Sequence, residues 1–115
     1  MMEGWLESAP TDDGMRATLA RNLALLGQHE AAVREARLAV DIAAKDAFSG
    51  PERLQDLAVV YVMVGRQDEA IDILERLLET VYENAITRAL LRVQPDWDPL
   101  RENPRFHALL AAGEI

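Results

Sequence analysis

The chain contains no cysteine. That excludes disulfides and thiolate-bound metals, and nothing ties the protein to an oxidising compartment. Positive charge is the scarcer sign: twelve Lys and Arg stand against twenty Asp and Glu, for a formal net charge of −8. Phosphate binding needs a basic face, so a nucleic acid partner is not expected. No apolar run approaches the ~20 residues that span a bilayer, and no membrane association is expected either. The opening "MMEGWLESAP" lacks the basic and apolar regions of a signal peptide, which points to a cytoplasmic location. Also missing are a Gly-rich phosphate loop, a nucleophile elbow and an H-E-x-x-H helix. The expectation is a protein with no catalytic residues, no cofactor and no metal.

What remains is 115 residues, one domain's worth of chain, half of them apolar. From Asp13 to Val93 the apolar period is helical. In "AIDILERLLETVY", Ala70, Ile71, Leu74, Leu77, Leu78 and Val81 form one helix face. In "EAAVREARLAVDIAAK" the same face is built from smaller residues, Ala32, Val33, Ala36, Ala39, Val40 and Ala43. Opposite charges recur at i,i+4 outside, as in Glu30–Arg34, Arg37–Asp41 and Asp72–Arg76. Such ladders contribute a few tenths of a kcal/mol per pair and read as solvated helix surface.

The two segments belong to a repeat. "GQHEAAVREARLAV" from Gly27 aligns with "GRQDEAIDILERLL" from Gly65 at an offset of 38 residues. The same offset pairs Leu19 with Leu57, Ala20 with Ala58, Ala32 with Ala70, Ala36 with Leu74 and Ala39 with Leu77. Each unit reads as a helix, a glycine turn and a second helix. This pattern resembles the tetratricopeptide repeat, a helix-turn-helix unit with a period of ~34 residues. The second unit carries the likeness best, through Leu54, Leu57, Ala58, Tyr61, Gly65, Ala70, Leu74 and Leu77. The first has Arg16 where the family prefers a large apolar residue, and both lack the family's proline after the second helix, having Ala44 and Tyr82 there. The four extra residues add about one helical turn, so the first unit's second helix is expected to reach Ala47. Pro51 then opens the following helix, where a missing N–H costs nothing.

The tail "PDWDPLRENPRFHALL" holds three of the five prolines. Asp98-Pro99 and Asn103-Pro104 each read as a capped helix start, and Gly113 as a C-cap. The stretch also resembles the closing tail of repeat arrays in bacterial regulators that carry tetratricopeptide repeats. A terminal repeat has an apolar side without a next repeat to cover it; Trp97, Leu100, Phe106 and Leu110 can do so. Asp96 and Asp98 could attract a hard cation, yet two carboxylates beside prolines serve turns and caps far more often. His107 has no second histidine nearby, and His29 sits where the family usually packs an aromatic.

The expected fold is all-α: about five helices in tetratricopeptide-like antiparallel hairpins, plus a short C-terminal capping helix. Residues 1–12 are a lead-in able to fold back through Trp5 and Leu6. The first hairpin is expected over 13–50, the second over 51–83, and the fifth helix with its proline-rich capping tail over 84–115, the helix itself being "ENAITRALLRV". The resemblance implies a non-catalytic module that takes a protein or peptide on an apolar concave groove. "LAVVYVMV", residues 57–64, is more apolar than one core face requires. Val59, Val62 and Met63 fall on the groove side, with Arg21 and Leu25 on the matching helix and Gln55 at the edge. Either the fifth helix and tail cover this face, or it is offered to a partner or to a second copy of the chain. The alternative function is a homodimerisation or scaffolding domain, one that could serve as a fragment of a larger regulator.

Overall fold

The structure, a computed structural model, describes residues 13–44, 49–79 and 86–112. These residues are all-helical, with no strand among them. In chain order they form α1 (Asp13–Leu25), α2 (His29–Ala43), α3 (Ser49–Met63), α4 (Gln67–Leu78) and α5 (Arg88–Val93), then a 3-10 helix (Pro95–Leu100) and α6 (Pro104–Ala111).

The turns between α1 and α2 and between α3 and α4 are built alike. Gly27 and Gly65 adopt φ of +82° and +86°, the left-handed region that glycine enters at no steric cost. In the first turn the Gln28 N–H donates to Leu23 O (2.9 Å) and the Gly27 N–H to Ala24 O (3.1 Å). In the second, Arg66 donates to Tyr61 O (2.8 Å) and Gly65 to Val62 O (3.2 Å). Both are Schellman closures, which satisfy carbonyls that the helix end leaves open. The 38-residue repeat read from sequence is thus a repeat of backbone geometry.

Packing joins neighbours in sequence and one pair beyond. α1 lies against α2, α2 against α3, α3 against α4, and α1 also against α3. Ala20, Ala32, Ala36, Ala58 and Ala70 are all 0–1% exposed, which lets these helices approach closely. Larger side chains, Ile71, Leu74 and Leu77, fill the second hairpin. Among the described residues no polar or charged residue is buried. Arg16, anomalous in the sequence pattern, donates from Nη1 to Glu35 Oε2 at 2.8 Å and ties α1 to α2.

The tail completes the core. Trp97, Leu100 and Phe106 are fully buried in the same cluster as Tyr61 and Leu74, and Leu110 packs against it. Leu109 is also buried there. The 3-10 helix packs on α3, and α6 on α4 and α5. Trp97 Nε1 donates to Gln94 Oε1 at 2.9 Å, so the indole is satisfied as well as buried.

Three boundaries differ from expectation. The fifth helix begins at Arg88, not Glu83: Thr87 is extended (φ −123°, ψ 162°) and its side chain accepts from Leu90 N, which makes it the N-cap. The first proline turn starts at Pro95, with Pro99 inside it. Asp98 therefore caps nothing and pairs with Arg101. α3 starts at Ser49, two residues ahead of Pro51, which still falls in the first turn. At Asn103-Pro104 the reading holds: Asn103 Oδ1 accepts from Arg105 N at 2.8 Å and Pro104 opens α6. Trp5, Leu6, Ala47, Val81, Tyr82 and Gly113 lie outside the described residues.

Candidate interaction surface

The six residues assigned to the groove meet different fates. Val59 and Val62 are 3% and 5% exposed and are corrected to core residues. Two things bury them: α3 is the central element, touched by α1, α2, α4 and the 3-10 helix, and the tail sets Trp97 and Leu100 into the same cluster. The all-apolar run of α3 is therefore covered all round, as such helices normally are. Met63 is half-buried against the core. Gln55 is half-buried too.

Arg21 and Leu25 stay at the surface. Arg21 Nη2 donates to Asp56 Oδ1 at 2.9 Å, bridging α1 to α3. Asp56 Oδ2 also stands 3.3 Å from Arg53 Nε, an ion pair with the preceding turn of α3. Leu25 is 75% exposed, and Leu26, missed in the sequence reading, is 73% exposed. Together they form the tip of the first hairpin, just before Gly27. Their counterparts 38 residues on, Met63 and Val64, pack against the core. The signal was present as two adjacent leucines ahead of the turn glycine. Only the packing of the second hairpin reveals that the first leaves those positions open.

The other chemical candidates do not assemble. Asp96 and Asp98 are exposed, and Asp98 Oδ1 accepts from Arg101 Nε at 2.8 Å. Among the described residues no three His, Asp or Glu converge as a metal cage. His107 is exposed and its Nε2 contacts Arg101 O. His29, expected to pack, is an exposed first residue of α2.

The strongest charge cluster links α6 to α4. Arg105 Nη2 donates to Asp72 Oδ1 (2.6 Å) and to Glu75 Oε1 (2.8 Å). Nη1 donates to Asp68 O (3.3 Å) and stands 3.5 Å from its carboxylate. Hydrogen bonds to Asp72 first and Glu75 next hold this guanidinium more firmly protonated than a free one.

The chain matches no family model, no curated protein and no solved structure.

Proposed function

We propose that this chain is a tetratricopeptide-like interaction module without catalysis of its own, which docks a protein or peptide partner on the tip and open face of its first hairpin. The repeat of 38 residues, the two matching glycine turns and the contact between α1 and α3 support a tetratricopeptide-like stacking. The observation that carries the binding reading is the Leu25–Leu26 pair, about three quarters exposed where the second hairpin's equivalents are packed. A scattered exposed leucine needs no explanation, but two adjacent ones at the tip of a hairpin mark a contact surface.

Burial of both leucines contributes about 3–6 kcal/mol by area. Part of that is offset by the cost of association. The net charge of −8 favours a partner that is apolar at the contact and basic around it. An amphipathic helix or an extended peptide meets that description.

The test uses the full chain and its Leu25→Asp/Leu26→Asp variant, each immobilised as bait. The expected result is a protein held by the wild type and lost by the variant, with far-UV circular dichroism unchanged. Retention of the same proteins by both would remove this surface from consideration. Light scattering over a hundredfold concentration range runs beside it. A dimer that survives dilution and is abolished by the same variant makes the partner a second copy of the chain.

A further inference from the structure

We propose that α6 is a separately opening cap, latched to α4 by Arg105, and that it lifts while the two hairpins and the 3-10 helix stay folded. This goes beyond the binding reading and does not depend on it, since Leu25 and Leu26 lie on the first hairpin.

The first reason is size. α6 has eight residues, well under the ~12–15 at which an isolated helix becomes marginal in water. It exists only while it is docked. The second is how it docks. Its apolar seat is Phe106 and Leu109, both buried, with Leu110 half-buried. The remainder of its attachment is polar and peripheral. Arg88 Nε donates to Leu109 O at 2.8 Å and Arg92 Nη2 to Leu110 O at 3.1 Å, placing two cations on carbonyls of the last turn. Arg105 grips Asp68, Asp72 and Glu75 on α4.

The third reason is the charge pattern under Arg105. Asp68, Asp72, Glu75 and Glu79 follow one another at i, i+4, i+7 and i+11 along α4. Like charges so spaced repel. One guanidinium from another helix relieves three of them at once, so the closed position of α6 and the comfort of α4 are coupled through a single side chain. A network of this kind contributes where an isolated surface pair does not.

A hinge is also in place. Gln67, the first residue of α4, donates from Nε2 to Pro99 O (2.9 Å) and accepts at Oε1 from Asn103 Nδ2 (2.8 Å). Arg101 donates from Nη1 to Leu91 O (3.2 Å) and from Nη2 to Gln94 O (2.9 Å). These bonds pin the segment up to Asn103 to α4, to α5 and to Gln94, while α6 adds its own ties to it through the Asn103 cap and the contact of His107 Nε2 with Arg101 O. Rotation after Asn103 swings Phe106 out and leaves Trp97 and Leu100 seated. The opened form presents an apolar seat on α4 and α5 beside an acidic stripe, a surface that the closed form hides.

Hydrogen exchange on the full chain tests this at low and at moderate salt. In the wild type, amides of Ala108 to Ala111 should exchange at least tenfold faster than those of Ile71 to Leu77. Arg105→Glu should speed α6 a further tenfold or more and leave α3 unchanged. Arg105→Glu combined with Asp72→Arg should restore slow exchange in α6, which a purely steric role for the arginine would not allow. Should Arg105→Glu loosen the whole chain, Arg105→Gln removes the latch without adding repulsion and should still speed α6 selectively. Exchange of α6 and α4 at one common rate in the wild type overturns the proposal. So does an α6 rate that Arg105→Gln leaves unmoved.

Discussion

The two hairpins share one register and fill it with different side chains. Leu19 and Leu57, Ala20 and Ala58, Ala32 and Ala70 are buried in both, and Gly27 and Gly65 turn both chains in the same left-handed conformation. They part company at the second helix, where Ala36 and Ala39 stand against Leu74 and Leu77. All four are about 1% exposed or less. Equal burial with unequal volume means unequal spacing. The first hairpin closes on alanines, whereas the second leaves room for leucines and for the tail's Trp97, Leu100 and Phe106. The difference shows what the repeat prescribes and what it leaves free. It prescribes small residues at the close helix crossings and glycine at the turn, and it leaves the volume of the second helix to whatever packs beside it.

Exchanging those volumes breaks the comparison with the largest effect. Leu74→Ala gives the second hairpin the first one's side chain and leaves a cavity that its neighbours cannot fill. It should cost about 2–5 kcal/mol. The mirror change, Ala36→Leu, forces a larger group into a site that is 1% exposed and should cost about 1–3 kcal/mol through overpacking. Urea denaturation followed by far-UV circular dichroism measures both. If Ala36→Leu proved neutral or stabilising, the first hairpin would be loosely packed and its closeness only apparent.

The same contrast explains which parts of the molecule could be read from the sequence. The helices and the turn glycines were legible because they are local: a 3.6 period, and two glycines at one offset. The tail's place in the core was legible because Trp97, Leu100 and Phe106 are large, apolar and fenced by prolines. Individual starts were less so. Thr87 takes the N-cap and shortens α5, a choice between capping and helix propensity that sequence alone leaves balanced. Val59 and Val62 were misplaced on the groove side for a non-local reason. They are buried in a core cluster that also takes in Trp97 and Leu100 from more than thirty residues away, and no pattern within α3 records that return. Arg16 reads as an error in the repeat until Glu35 is found 2.8 Å away on α2.

The turns should respond equally, which sharpens the shared half of the comparison. At Gly27 and at Gly65 a Cβ would meet nothing within 4 Å, so the only cost of alanine is the left-handed backbone, about 1–2 kcal/mol. Gly27→Ala and Gly65→Ala should therefore lower stability by the same amount within error. A clearly larger loss at Gly65 would mean that the second turn also positions Arg66, whose guanidinium lies 5.9 Å from the Tyr61 ring centroid.

The smallest effect on stability is expected at the positions proposed for docking. Leu26 and Val64 occupy the same register, yet Leu26 is 73% exposed and Val64 packs against the core. Leu26→Ser removes apolar area that is already in water, so the unfolding free energy should stay within about 0.5 kcal/mol of wild type. Val64→Ser withdraws a partly buried side chain from its neighbours and should cost about 1 kcal/mol. The two variants should separate in the opposite order when binding is measured, with Leu26→Ser losing the partner and Val64→Ser keeping it. A leucine that folding does not need and binding does is the signature of a docking surface. Equal and substantial losses of stability at both positions would instead make Leu26 part of the core.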